Sequence, residues 1–375
     1  MTKKERLMRT LTGQTVDRPP VSFYELSGYY QDPHDQDEYN IFNDPSWHGL
    51  LDLTRNHTDK IVMTGPKFAE TEREYPVEVT QEEINGSIHT TIKMHTPRGV
   101  LIKRARRDKD VDTTWTTEHL LKDAEDVKAY LSLPEDELGE IDIANVLKIE
   151  ADLGDTGIVS LDIGDALCVT AELFSMEDYL VFALTEQELF TQLLERAHRK
   201  IYKRIKMTSE ALPGRLYRIC GPEYASPPYL PPSLFREYVV RYDRELIKLI
   251  QKSGGYARVH SHGNLALIID DIVGMGADGL DPIEPPPQGD VSLKFIREKY
   301  GEQLVLFGNI EVSEIENLPP HEFRERVKQA LHEGMSGKGR GFVLMPSACP
   351  LSRKLQAQTY ENYQIMVELA ERALY

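Results

Sequence analysis

The chain has 375 residues, 40% of them hydrophobic and 28% charged, with a formal net charge of −17. That is enough for a sizeable core, and so acidic a balance disfavours nucleic acid or an anionic membrane as the main partner, since both demand basic surface. No stretch approaches the roughly 20 apolar residues of a membrane span. No apolar signal core follows Met1-Thr-Lys-Lys-Glu-Arg6, and three sparse cysteines, Cys168, Cys220 and Cys349, point away from a disulfide framework toward a reducing cytoplasm.

Residues 3–12 read as a short amphipathic helix ending at Gly13. Asp17-Arg-Pro-Pro20 then leads into a first strand, Val21-Ser-Phe-Tyr-Glu25. Asp44-Pro45 opens a helix to about Asn56, with proline in its first turn, and Lys60-Ile-Val-Met63 is a second strand. Residues 76–106 change the rhythm. Three alternating runs, with Asn85-Gly86 as a hairpin turn between the first two, predict an antiparallel meander inserted into the main fold.

From residue 123 strands and helices alternate. Helices are expected at about 123–132, 142–152, 172–211, 233–252, 264–274, 291–299, 320–334 and 357–373. The strands between them are Gly157–Asp162, Leu216–Cys220, Tyr256–His260, Gly279–Pro282, Leu304–Phe307 and Phe342–Met345. Leaving out the meander, the strands number eight. The expectation is one α/β domain, 1–375, a (β/α)8 TIM barrel, with a doubly wound sheet as the alternative. No Gly-rich phosphate fingerprint follows any strand, which counts against a dinucleotide fold.

Polar groups follow the apolar runs abruptly: Glu25, Asp162 and Asp165, Glu223-Tyr224, His260 and His262, Asp281 and Glu284, Asn309 and Glu311, and Cys349. Barrel enzymes place their chemistry at this end of the strands. Two histidines spaced i, i+2 and a distant cysteine could supply three zinc ligands and leave a fourth position open. The bland alternative is one core histidine, one locally bonded histidine and a buried thiol. Cys168 and Cys220 read as buried and inert. The Arg104-Ala-Arg-Arg-Asp-Lys109 cluster reads as an exposed strand end.

Several motifs, in order and spacing, resemble the uroporphyrinogen decarboxylase superfamily, which includes cobalamin-dependent methyltransferases. The carriers are Arg18-Pro-Pro-Val21 with Gly28, Pro222-Glu-Tyr-Ala-Ser-Pro-Pro228 before Phe235-Arg-Glu-Tyr238, and His260-Ser-His-Gly263. Gly276-Ala-Asp-Gly-Leu-Asp-Pro282, Gly289-Asp290, Gly308-Asn-Ile-Glu311 and Pro346-Ser-Ala-Cys-Pro350 with Glu361-Asn362 complete them. The resemblance implies a TIM barrel over nearly the whole chain. True decarboxylases of the family resemble Arg-Gln-Ala-Gly-Arg-Tyr after the first strand, where arginines hold propionates. Here Glu25-Leu-Ser-Gly28-Tyr29-Tyr30 replaces both cations. A polycarboxylate would lose two bidentate partners and meet a repelling charge, which argues against porphyrinogen decarboxylation.

The methyltransferase branch binds zinc through His-x-Cys and a later Cys. By that resemblance the ligands are His260, His262 and Cys349, with an imidazole where the family has a thiolate. The expected function is therefore a zinc-dependent, methyltransferase-like enzyme acting on a thiol or methylated small substrate. Its methyl partner would be a corrinoid on a separate protein, and the assembly a homodimer. Glu223 and Glu25 are the expected catalytic acid/base or fourth-ligand groups. Tyr29, Asp281, Glu284, Asn309 and Glu311 are expected to hold substrate. The alternatives are a metal-free decarboxylase or lyase, which needs a cationic pocket from Arg18, Arg218 or Arg258, and a non-catalytic small-molecule or corrinoid binding protein.

Overall fold

The computed structural model describes residues 1–69, 71, 74–337 and 339–373. Along the chain the strands are β1 (Lys60–Thr64), β2 (Lys67–Phe68), β3 (Val77–Ile84), β4 (Ser87–Thr96), β5 (Gly99–Arg107), β6 (Thr114–Glu118) and β7 (Ile141–Asp142). They continue as β8 (Gly157–Gly164), β9 (Leu216–Cys220), β10 (Tyr256–Ser261), β11 (Gly279–Pro282), β12 (Val305–Ile310) and β13 (Phe342–Pro346). Seven of these form a parallel sheet in the order β1-β8-β9-β10-β11-β12-β13. Its strands are apolar runs buried on both faces, and helices cover the outside, as parallel sheets require.

The first expected strand is not one. Val21 makes a single parallel bridge to Leu344 of β13. Leu344 N–H donates to the Pro20 carbonyl at 2.9 Å, Ser22 N–H donates to the Leu344 carbonyl at 3.0 Å, and the Val21 carbonyl accepts from Asp59 N–H at 2.7 Å. Pro19 and Pro20 offer no N–H to extend the ladder. Beyond Val21 the chain turns, with Tyr24 at a φ of +54° and Leu26 N–H closing onto the Phe23 carbonyl. So the segment spans the gap between β13 and the residue before β1 without becoming a strand.

Asp59, fully buried, ties this region together. Its carboxylate takes Arg6 Nη1 at 2.6 Å, Arg18 Nη1 at 2.9 Å and Val21 N–H at 3.0 Å. Arg6 belongs to the helix Lys3–Leu11, N-capped by Thr2. Leu7 and Leu11 of that helix pack with Ile61, Ile158, Leu216, Val305, Phe307, Val343 and Met345, so the helix plugs one end of the sheet's inner face.

The meander is a four-stranded antiparallel sheet, β3-β4-β5-β6. Asn85 and Gly86 join β3 to β4 with φ of +51° and +78°, the two-residue turn that matches strand twist. The fourth strand was not anticipated. Thr114-Trp-Thr-Thr-Glu118 is short and polar, and its pairing with β5 shifts register between Arg104 and Ala105. The helices expected over 172–211 are Met176–Thr185 and Gln187–Ala211, and a further short helix, Ala166–Ala171, precedes them.

Candidate functional site

Strand registry decides which side chains share the inner face. Asp162, Arg218 and Arg258 stand side by side on β8, β9 and β10, and one row further on stand Cys220, His260 and Asp281. Alternation then puts His262, Asn309, Glu311 and Ser347 on the same side, at or just past the carboxyl ends.

The innermost row is an ion network. Arg218 Nη1 donates to Asp162 at 2.7 Å, and Arg218 also bonds the Tyr24 hydroxyl. Arg258, 1% exposed, lies against Asp281, with Nε 3.3 Å from Oδ1, and over the Phe307 ring at 4.9 Å. These two arginines point inward, which resolves the orientation that sequence left open. Arg18 does not join them; it is spent on Asp59. Burial alone would raise the Asp281 carboxyl. The charges of Arg258 and Arg218, with the hydrogen bond from His260, outweigh it and hold Asp281 ionised, well below the usual carboxylate range.

His260 and His262 form the next layer. His260 Nδ1 lies 3.0 Å from Asp281 Oδ2 and His262 Nδ1 lies 2.7 Å from Glu284 Oε1. An ionised carboxylate only accepts, so in each ring Nδ1 carries the hydrogen and Nε2 is left to face the mouth. The two rings meet edge to face, centroids 4.6 Å apart, and Tyr24 stacks on His260 with its hydroxyl 3.4 Å from Nε2. Burial pulls the His260 pKa down, so this imidazole is neutral at pH 7. For His262 burial also pulls down, but the Glu284 bond and the nearby charges of Glu284, Glu223 and Asp281 win, and its pKa is raised. Glu284 also accepts Gly263 N–H at 2.6 Å. Asp281 and Glu284, expected to hold substrate, are thus the anchors of the two histidines.

The other expected residues divide. Glu311 sits beside Glu284 and His262; Ser347 Oγ donates to its Oε1 at 2.9 Å, and burial raises its pKa. Glu223 follows β9 on a tight turn, where Gly221 N–H donates to its Oε2 at 2.9 Å. Asn309 turns toward Arg326, whose Nη2 donates to its Oδ1 at 3.3 Å. Cys349 Sγ meets Glu25 Oε2 at 3.5 Å, and burial with the Glu25 charge pushes that thiol up. Tyr29 stands apart, its hydroxyl donating to Asp152 at 2.6 Å on the helix that precedes β8.

A metal therefore finds half a site. The two imidazoles, each backed by a carboxylate, are arranged as metal-binding histidines usually are. Cys349, however, is paired with Glu25 as a protonated thiol, and among the described residues no three His, Cys, Asp or Glu side chains come together as a metal group. For these three residues to hold zinc, the Cys349 thiol would have to leave Glu25 and lose its proton.

Sequence reading missed Tyr24 and the Asp165–Asp243 pair below the Glu223 turn. Asp165 Oδ1 accepts Cys168 N–H at 2.6 Å, and the carboxyl of Asp243, on the helix Arg241–Lys252, lies beside that of Asp165. Both are fully buried, and neither finds a further side-chain donor among the described residues. Two neighbouring carboxylates cannot both stay ionised without a counter-charge, so the pair holds a proton. Burial raises both groups. The folded state then binds a proton that the unfolded chain releases near pH 4, so stability falls as pH rises from there toward the folded pKa. The expected slope, wild type minus Asp243→Asn, is ~1.4 kcal/mol per pH unit between about pH 5 and 7. Urea unfolding of both proteins across that range measures it, and parallel profiles would refute the shared proton.

The chain matches the family profile described as Uroporphyrinogen decarboxylase (URO-D) over residues 166–372, more than half its length. It belongs to that family. The matched region runs from the Asp165 helix to the last helix and contains Glu223, both histidines, Asp281, Glu284, Glu311 and Cys349. Among solved structures the chain is similar to a methyltransferase from Methanosarcina mazei, at 16% identity and a TM-score of 0.58, covering 98% of this chain and 99% of that one. Identity that low shows shared fold, here an α/β fold with a curled parallel sheet. A D-psicose 3-epimerase aligns at 8% identity over 61% of this chain and 90% of its own, but a TM-score of 0.30 carries no weight. Comparison with curated protein sequences finds no match. Among the described residues no helix is long and apolar enough to cross a membrane.

Proposed function

We propose that this chain is a methyltransferase-like enzyme of the URO-D family, working at the carboxyl end of a (β/α)8 barrel whose seam is the Val21 bridge. It would move a methyl group between a small substrate, a thiol or a methylated compound, and a corrinoid carried by a separate protein. The observation that carries this reading is the pair of imidazoles at the end of β10, each fixed by its own carboxylate. Membership of the family and the fold shared with a methyltransferase over nearly its full length support it.

The chemistry asked of the chain is proton handling at a methyl acceptor or leaving group. His260 is held neutral and fixed in one tautomer. His262 and Glu284 form an ion pair that can give a proton at Nε2, the ring nitrogen not tied to Glu284, or hold it. Glu223, fixed through one carboxylate oxygen, keeps the other for substrate. Zinc on His260, His262 and Cys349 remains part of the proposal. If bound, it would act as a Lewis acid on a thiol or oxygen, and it requires the Cys349 thiol to leave Glu25 and lose its proton.

Two measurements test this. Metal analysis of purified protein should find about one zinc per chain, lost in His260→Ala and in Cys349→Ala; full metal retention in both variants removes zinc from the reading. Protein given methylcobalamin with a panel of thiols, or cob(I)alamin with methylated donors, should change the corrinoid spectrum. Silence across the panel, together with CO₂ release from a carboxylic acid, would replace methyl transfer with a lyase. The observation that favours a lyase is the inward Arg218 and Arg258. Both are already neutralised, by Asp162 and Asp281, and the acids Glu25, Glu223, Glu284 and Glu311 past the strand ends oppose an anionic substrate.

A further inference from the structure

Cys168 lies outside the site described above and Cys220 stands in its second row, and the fold brings the two together. Gly164, at the end of β8, pairs in register with Cys220, at the end of β9. Asp165 N–H donates to the Cys220 carbonyl at 2.8 Å, and the chain then turns into the helix Ala166–Ala171. Cys168 thereby folds back over the two strand ends. Its Sγ lies 3.4 Å from where a Cβ on Gly164 would stand, and its Cβ 2.7 Å from where one on Gly221 would stand. Glycine at 221, with φ of +135°, is what lets the cysteine come so close. The Cys168 thiol lies beside that of Cys220 and donates to Glu172 Oε1 at 3.7 Å, while the Cys220 thiol donates to the Ile163 carbonyl at 3.4 Å. A cavity of about 500 Å³, lined by Glu172, Phe174, Tyr224, Lys103 and His119, opens on the far side of Glu172, the residue that Cys168 bonds.

We propose that Cys168 and Cys220 form a dithiol modification site, reached by small disulfides and trivalent arsenicals through the cavity beside Glu172. The two sulfurs are not equivalent. The neighbouring Cys220 thiol, with burial, pushes the Cys168 thiol well above the ordinary range, so Cys168 keeps its proton. Cys220 gives up its proton and attacks one sulfur of a low-molecular-weight disulfide, whose S–S bond breaks and releases one thiolate, which takes up that proton. Cys168 passes its proton to Glu172 and attacks the Cys220 sulfur of the mixed disulfide, expelling the second thiolate. The dithiol loses two electrons and two protons, and the reagent disulfide becomes two thiols. An arsenical of the R–As=O type needs no electron transfer: both thiols add to arsenic and one water leaves. A bridge here would fasten the end of β9, just before the Glu223 turn, to the helix that follows β8.

The test uses the full chain with phenylarsine oxide as probe, and separately with hydroxyethyl disulfide followed by alkylation and peptide mapping. The expected result is one arsenical per chain, and a Cys168–Cys220 bridge that leaves Cys349 alkylatable. Cys349→Ser keeps both results. Cys168→Ser takes up no chelated arsenical and stops at a mixed disulfide on residue 220. Cys220→Ser does neither reaction, and circular dichroism reports whether both variants fold. If they do not, the wild-type map still decides. A bridge that includes Cys349, no bridge at all, or arsenical binding that survives in either single variant overturns the proposal. None of these readouts depends on methyl transfer, so the site stands or falls apart from the activity.

Discussion

Asp281→Ala is expected to destabilise the protein by about 3–5 kcal/mol, the range for removing one partner of a buried ion pair. Asp281 is fully buried and ionised, and it faces the Arg258 guanidinium and His260 Nδ1. Without it Arg258, 1% exposed, keeps its charge with no anion in reach except through Arg218's partner Asp162. The carboxylate therefore does two jobs, holding a cation inside the sheet and fixing the tautomer of a mouth histidine. Urea unfolding measures the first. The double variant Asp281→Ala/Arg258→Met should recover much of the loss, because it removes the stranded charge. A single-variant loss under about 1 kcal/mol would mean that Arg258 is solvated in a way this arrangement forbids.

Glu223→Gln should slow the corrinoid reaction by about 10²–10⁴-fold, the usual worth of a positioned acid or base. Glutamine keeps the carbonyl that accepts Gly221 N–H, so the turn survives and the change removes charge and proton capacity alone. Zinc content should be unchanged, since Glu223 is not in the proposed ligand set. The ratio of rates at equal metal content is the measurement, and equal rates would move the acid/base role to His262 or Glu25.

The parallel strands were legible because each is a short apolar run with a polar group directly after it, and burial on both faces enforces that pattern. The same property placed His260, Asp281 and Glu311 on the rim. Their mutual roles were not legible. Whether Asp281 meets a substrate or a histidine depends on the β10–β11 register, and nothing in either segment fixes register by itself. Tyr24 was hidden because the segment after Pro20 looked like a strand, in which neighbouring side chains alternate; the turn at Tyr24 breaks that alternation. Asp243 lies in an amphipathic helix where a lone acid reads as surface charge, yet it is fully buried, beside a carboxyl 78 positions earlier. The cysteine contact likewise joins positions 52 residues apart, across three helices and β9, beyond the reach of any local pattern.

Asp59 gives the seam at Val21 a particular kind of weakness. One carboxylate clasps the plug helix through Arg6, the proline segment through Arg18, and the bridge strand through Val21 N–H. The joint has a single rung, so it contributes little strength of its own, but it cannot loosen alone. Parting Val21 from Leu344 strains the same anion that anchors the helix under the sheet. Parting the bridge and freeing the helix are therefore expected to be one event, set by a single buried anion.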